Sequence, residues 1–491
     1  MPEAPAVPST LRVLRLDDHA GVQALMARQG WPQRSPAGWA WALFDNPARQ
    51  ALGAPAGWVL EHQQQIVGFL GNWPLAYFVQ GRLVYGATCT SYLVDERHRA
   101  KSVLLLRAFA AQRGVGFVYS ATANAHSAPV YRLYKFDPLL DPDAQCSLRW
   151  VADDTAWLRS VLNRWGWGWA AAAAAPCGAP LLAGVRRLSG WSTVPAPQPG
   201  VVVRQVAQQL VQQVVQQVVQ QVVRPGNQRG VQQGAQQGVP PSDLAAHGST
   251  GAGRWQHWWD ALARADGLWL DRSQSAVAWR LADPELGEDQ ALWQLLDAPD
   301  GVMLGLCHAR AVAHQPHAAP KAELLDWAVL PSTLPAACAA LLQAVVQWAA
   351  ARGLAMVEAK RYTGSAAASL RCLRPQARPL PPDGNWSRVL SSAALAPCAT
   401  LSPWGMTAAD SDSSYALYAA PGVPAAAALV DSAASATQGG AELRHQLVSG
   451  VDLGGVKQQH VDLGAGGLLD AGNQVDQPQA VQQPIVEHPR R

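Results

Sequence analysis

The chain has 491 residues, 49% of them hydrophobic and only 15% charged, with 38 Lys and Arg against 35 Asp and Glu. That length suits two to four domains at roughly 100–200 residues each, with enough apolar residues for sizeable cores. A formal charge of +3 without a basic block argues against nucleic acid as the main partner, and seven scattered Cys without CxxC or zinc spacing are not a disulfide scaffold.

The N-terminus, Met1–Thr10, is rich in Pro and Ala and lacks the apolar stretch of a signal peptide. With reduced cysteines this suggests a cytoplasmic protein. Leu11–Leu16 alternates as a strand does, and Asp17 and Asp18 are placed to cap a helix beginning near Ala20. Trp58–Glu61 and Ile66–Trp73 read as a hairpin turning at His62–Gln65, and Leu83–Val94 as the next strand. A helix is expected over Val103–Arg113, a strand over Phe117–Thr122 and a short helix over Ser127–Tyr134. The order predicts an α/β (α+β) domain over residues 1–150, with a mostly antiparallel sheet and one βαβ crossover.

Residues 151–253 form the expected interdomain region. Trp165–Val185 is uncharged and long enough to span a membrane, but Gly and Pro interrupt it and Ala dominates. It reads as a helix packed between domains, with no stable membrane span. From Gln208 to Val223 a Gln-Gln-Val-Val unit repeats. A period of four drifts about 40° per repeat around a helix and places both residue types on both faces of a strand, so a disordered linker is expected.

Order resumes near Arg254. A helix beginning at Trp255-Gln256-His257-Trp258-Trp259 and a short one at Ala276–Leu281 precede a strand pair, Ala291–Asp297 and Val302–Ala313, around a Pro299-Asp300-Gly301 turn. Glu323–Leu330 is a strand and Pro335–Arg352 a helix closed by Gly353. Leu354–Lys360 is a strand and Ser365–Leu373 a helix. This repeats the first order, so residues 254–422 are expected to hold a second copy of the fold. Residues 423–491 lose periodicity and are expected to be a disordered tail. The 21 Trp beside 6 Phe and 9 Tyr, with Arg largely replacing Lys, match what a GC-rich genome would encode and name no ligand.

The stretch that carries chemistry is Thr90–Leu104. A strand ends in a short loop bearing Arg97, Arg99 and Lys101, and the loop opens a helix. Backbone N–H groups at a helix N-terminus suit phosphate, and the three cations add charge at that point. A solvated basic loop would look the same.

In context the stretch resembles the acyl-CoA-binding motif of the GCN5-related N-acetyltransferases. In that family a strand ends in Val-x-Pro-x-x-Arg and Arg/Gln-x-x-Gly-x-Gly/Ala follows. Val94 and Arg99 match the Val and the Arg, while Glu96, Ser102 and Leu104 stand where the family has Pro, Gly and Gly or Ala. Asn124 after the next strand, and Tyr131 five residues before Phe136, match the downstream part, with Lys135 replacing a Gly.

The resemblance implies two tandem acyl-CoA N-acyltransferase-like domains and acetyl-CoA as co-substrate. Leu93, Val94, Arg97, Arg99, Ala100, Lys101, Ser102, Val103 and Leu104 would hold it. Tyr131 would be the general acid for the leaving thiolate, and Asn124 would bond the cofactor or a water. The acceptor would be a small amine, such as an amino sugar. Glu61, Asp95, His98 and His126 are general-base candidates by type alone.

In the second copy Val329-Leu330-Pro331 matches the strand end, but Leu334 stands at the Arg position and Ala337 and Ala339 at the glycines, so no CoA binding is expected there. Trp404–Ser413 resembles the closing segment of tandem acetyltransferase-like proteins of bacterial polysaccharide clusters. Its Asp410 and Asp412 form either an acidic turn or a cation site. Two other functions remain open: a non-catalytic acyltransferase-like scaffold, and an aminoacyl transferase of the peptidoglycan-bridge type, against which the weak overall charge counts.

Overall fold

Apolar residues dominate both halves of the chain, and they fold into two mixed sheets flanked by helices, whose central strands β3, β5, β11 and β12 are buried on both faces, the expected α+β class. A computed structural model describes residues 9–121, 123, 127–138, 143–206, 251–298, 300–312, 319–380, 386–390 and 406–410, all within the compact unit Met1–Val423. The Gln/Val repeat and everything beyond 410, Asp412 included, lie outside the described residues.

The first half supplies strands β1 (Thr10–Val13), β2 (Gly57–His62), β3 (Gln65–Val79), β4 (Arg82–Val94), β5 (Phe117–Ser120), β6 (Asp137–Pro138) and β7 (Cys146–Val151). Its helices are α1 (His19–Arg28), α2 (Pro36–Trp39), α3 (Pro47–Leu52), α4 (Ser102–Ala110) and α5 (Ala128–Leu133). A helical hairpin, α6 (Asp154–Arg164) and α7 (Gly168–Ser189), leads to β8 (Val201–Gln205). The second half supplies α8 (Gly251–Arg264), β9 (Leu268–Leu270), α9 (Gln274–Leu281), β10 (Gln290–Asp297), β11 (Met303–Val312), β12 (Lys321–Val329), α10 (Pro335–Ala351), β13 (Met356–Lys360), α11 (Gly364–Arg371), β14 (Gln376–Pro379) and β15 (Trp386–Val389).

The first sheet runs β1-β2-β3-β4-β5-β15-β6, with β9 added beside β3, and the second runs β14-β7-β13-β12-β11-β10-β8. Each contains one parallel pair, β4 with β5 and β12 with β13. The divisions at 150 and 254 separate the sequence but not the sheets. β7 pairs with β13 in the second sheet, and β15 pairs with β5 in the first.

Local departures have physical causes. β3 continues past Pro74 to Val79 because Leu75, Tyr77 and Val79 all point into the first core, and Asn46 donates to the Pro74 carbonyl. Asp18 precedes α1 but does not cap it. Its carboxylate accepts from the Arg15 amide and pairs with Arg12 at 2.7 Å. Gly353 takes the left-handed conformation expected after α10 (φ 68°).

The second sheet carries a buried ladder of charge across four strands. Glu358 accepts from Lys321 at 2.6 Å and pairs with Arg149, Lys321 also pairs with Glu323 at 2.9 Å, and Arg310 donates to Glu323 at 2.6 Å. Farther along, His308 on β11 hydrogen-bonds Gln290 on β10 at 2.9 Å. Burial pushes the His308 pKa down to about 3.

This sets an acid sensitivity. Between about pH 6.5 and 3 the unfolded chain protonates this histidine and the folded chain does not, so stability falls as pH falls through that window, by at most ~1.4 kcal/mol per pH unit. Asp283, raised to about 6 by burial against the pull of Arg34, acts in the opposite sense below pH 6. His308→Gln is therefore expected to flatten the loss between pH 6.5 and 6 in urea titrations. An unchanged slope would contradict the assignment.

A second polar cluster seals the seam between the sheets. Arg272, just after β9, donates to Asp326 of β12 from Nε (3.0 and 3.1 Å) and Nη2 (2.7 Å), and both residues are buried. Thr407 donates to Asp326 at 3.1 Å. Tyr119 of β5 donates to the Asp410 carbonyl at 2.5 Å and meets Tyr77 of β3 at 2.7 Å. The Asp410 carboxylate accepts from the Thr407 amide at 2.8 Å, so this acidic turn is a buried structural one. No group of three metal-ligating side chains occurs among the described residues.

Candidate active site

The site begins where two parallel strands part. β4 and β5 pair at Gly86–Phe117, Ala87–Val118 and Thr88–Tyr119, and no farther. β4 continues to Val94, whereas Ser120 at the end of β5 pairs with Trp386 of β15 on its other side. Among the described residues, the β4 edge from Cys89 onward therefore has no strand beside it on the β5 side.

β4 is also bulged there. Phe69 pairs with Leu93 and Gly71 with Thr90, so Ser91 and Tyr92 together face Leu70. Ser91 takes φ 53°, a left-handed conformation uncommon for serine, and strain of this kind concentrates at functional sites. Gly71 opposite is needed for close approach, since a Cβ there would collide with Thr90.

Beyond Val94 the loop winds as a 3-10 turn, Glu96–Lys101, into α4. Arg97 and Ala100 are exposed. Arg99 is exposed with a loose partner, Glu96 at 3.8 Å. Lys101 Nζ donates to Ser9 at 3.0 Å. Two phenols brace the first turn of α4: Tyr92 donates to the Ser102 carbonyl at 3.0 Å and Tyr134 to that of Val103 at 2.9 Å. Burial pushes the Tyr92 pKa up to about 12, so this brace stays protonated.

Leu104, which stands at a glycine position of the family motif, packs against the core beneath α4 with Leu105 and Leu106. Leu93 and Val94 are buried on opposite faces of β4, in different cores. The Ser102 amide donates to the Arg99 carbonyl, so it is engaged within the turn.

α5 brings Tyr131 to the inner end of the gap. Its hydroxyl lies 3.0 Å from Cys89 Sγ and bonds Ser120, its ring stacks on Trp386 at 6.4 Å and meets Phe136 edge-on at 5.2 Å, and only 2% of the residue is exposed. Burial first, then the Cys89 thiol, raise this phenol well above its ordinary value. Asn124 and His126 lie outside the described residues.

The other base candidates are engaged elsewhere. Glu61 pairs with Arg12 at 2.6 Å, and Asp95 with Arg28 at 2.8 Å. The His98 ring lies tilted against His62 at 4.8 Å, and partial burial, then His62 and Lys101, hold it below its ordinary pKa.

Sequence reasoning missed a narrow recess on the face of β4 opposite Tyr131. Thr90, Ser91, Phe69 and Trp73 meet Gln23 of α1, Trp39 of α2 and Arg34 of the segment between them there. Gln23 Oε1 accepts from the Arg34 amide at 3.0 Å, while Gln23 Nε2 and the Trp39 indole N–H have no hydrogen-bond partner among the described residues. The residues that carry these two buried donors thus line the recess together with the strained Ser91. Only the unusual Ser91 conformation marks this place, and composition does not announce it.

In the second sheet the parallel pair β12–β13 parts after Glu323–Glu358, and β12 carries an extra residue, Leu325. That gap is filled. Tyr362 donates to the Leu324 carbonyl at 3.0 Å, and the Thr363 amide donates to the Met406 carbonyl at 3.0 Å. At the head of α10 the Ala337 and Cys338 amides both donate to the Leu334 carbonyl, and Leu334 itself is exposed.

No protein-family profile and no curated protein matches the chain. Solved structures are similar to it at low identity. A GCN5-related N-acetyltransferase from Kribbella flavida shares 15% identity at a TM-score of 0.43, covering 80% of this chain and 74% of that one. A probable N-acyltransferase from Enterococcus faecalis V583 shares 11% at 0.41, covering 79% and 74%. The N-myristoyltransferase of Saccharomyces cerevisiae, solved with myristoyl-CoA and inhibitors, shares 10% at 0.41, covering 79% and 82%.

Proposed function

We propose that the chain is an acyl-CoA-dependent N-acyltransferase whose single working site lies in the first sheet. The observation that carries this reading is the parting of β4 and β5 beside a bulge at Ser91, with a basic loop at the end of β4. An extended thioester could add along the unpaired β4 edge, as a strand would. Arg97 and Arg99, both exposed, would meet its phosphates.

In this reading the neutral acceptor amine attacks the thioester carbonyl to form the C–N bond, the C–S bond breaks, Tyr131 Oη gives its proton to the leaving sulfur, and the proton shed by the nitrogen passes through solvent to restore the phenol. Burial raises this phenol well above a thiol's ordinary value, so it gives up its proton only as negative charge builds on the sulfur, and it must be less deeply buried at that moment. The recess supplies the acceptor side. Its free N–H donors suit hydroxyl or carbonyl oxygens more than a second ammonium, which favours an oxygen-rich amine such as an amino sugar. Acetyl is the acyl group proposed, from the resemblance of the Val94–Leu104 stretch to an acetyltransferase motif.

Labelled acetyl-CoA presented with a panel of small amines tests this, and transfer to none of them would count against it. Arg99→Ala is expected to weaken acetyl-CoA binding about fivefold, as loss of one exposed phosphate contact should. Leu334→Ala in the second copy should leave the affinity unchanged. Equal effects of the two variants would remove the basic loop from the site.

One observation favours a second reading, a non-catalytic scaffold of the same fold. The Ser102 amide is engaged by Arg99 and the Tyr131 phenol is buried, so both would have to be uncovered for turnover.

A further inference from the structure

The chain from Thr155 to Val206 contains Arg159, Arg164, Arg186, Arg187 and Arg204 and no Asp or Glu, in a protein whose charges otherwise nearly balance. Most of this stretch folds as the hairpin α6–α7. The two helices meet through Leu158, Leu162, Ala171 and Ala175. The base of the hairpin is tied down. Arg186 pairs with Asp154 at 2.8 Å, and Ala156 and Trp157 pack against Ala319, Ala355 and Met356 beside the second sheet.

Only Ala171, Ala175 and Ala179 of α7 are buried, a single stripe at helical spacing. The remaining surface of α7 from Gly168 to Val185 carries no charge. At the tip, Trp165, Trp167 and Trp169 are 62%, 57% and 89% exposed, and along the helix Leu181 and Leu188 are 74% and 92% exposed. Soluble helices normally turn charged or polar residues outward. Here the outward face is apolar and rimmed by Arg164 and Arg187, both exposed.

We infer that this hairpin docks on an anionic membrane surface, with the tip tryptophans and the outer face of α7 in the headgroup region and the arginines on lipid phosphates. Tryptophan favours that zone because its ring is apolar and its N–H finds polar partners. A rim of arginines without carboxylates complements anionic lipid. The same rim argues against a second copy as the occupant, since two such faces would oppose Arg to Arg with no acidic group to answer them. The base contacts with the second sheet and the internal Pro176 and Pro180 favour a helix lying on the surface over one that crosses it. The docking stands whether or not the chain transfers acyl groups.

Flotation of the full chain with phosphatidylcholine vesicles, with and without phosphatidylglycerol, tests this. The chain should float with the anionic vesicles and be released by salt. The Trp165→Ser, Trp167→Ser, Trp169→Ser triple variant should lose binding at least about tenfold with its circular dichroism unchanged, given how exposed these residues are. Arg164→Glu with Arg187→Glu should abolish the preference for phosphatidylglycerol, and this tests the proposal even if the tryptophan variant misfolds. A chain that stays in the buffer would overturn it, as would variants that float like the parent. So would a stable dimer, seen by sedimentation, that the tryptophan substitutions dissolve.

Discussion

Arg272→Met is expected to destabilise the folded chain by about 3–5 kcal/mol, the usual cost of removing one partner from a buried ion pair. Asp326 would keep the Trp327 amide at 2.9 Å, the Thr407 hydroxyl at 3.1 Å and a distant Arg280 at 3.9 Å, and would lose all three Arg272 bonds. Burial opposes ionisation of Asp326, yet the Arg272 guanidinium holds its carboxyl below the usual carboxylate range. Without that cation the group must either take a proton or stay charged and buried with only the distant Arg280 to answer it, and both cost stability. The double variant Arg272→Met, Asp326→Leu should recover much of the loss, because neither partner is then left alone. Urea midpoints of the single and double variants check this. A single-variant loss below about 1 kcal/mol would show that the pair is solvated after all.

Tyr131→Phe should lower turnover by about a hundredfold or more while leaving CoA-ester affinity nearly unchanged, the pattern for loss of a general acid. The hydroxyl also meets Cys89 and Ser120, so a modest stability cost of about 1 kcal/mol accompanies the loss. Because the phenol is raised well above its ordinary value, its ionisation should not limit turnover on the alkaline side below pH 10. Single-turnover rates with labelled acetyl-CoA across pH separate the two effects. Unchanged turnover would remove Tyr131 from the chemistry and leave it as packing under Trp386.

Much of the first sheet was legible because its signals are local. The Trp58–Trp73 hairpin, the strand ending at Val94 and the helix after the basic loop all follow from spacing within a few residues. The exchange of β7 and β15 between sheets was not legible, because a short strand pairing with a distant segment leaves no periodicity of its own. Trp386, which stacks on Tyr131, entered the site by that route. The bulge at Ser91 was invisible for another reason. Nothing in a serine side chain demands a positive φ, which follows from the register that β3 imposes on β4. The ladder of Arg149, Glu358, Lys321, Glu323 and Arg310 breaks the apolar pattern that strand reading depends on, and so hid how deeply those strands are buried.

Calorimetric titration of the full chain with acetyl-CoA addresses the central claim most directly. The account predicts saturable binding at one site, weakened by Arg99→Ala and indifferent to Leu334→Ala. No heat at millimolar ligand, or binding that Arg99→Ala leaves unchanged, would contradict it.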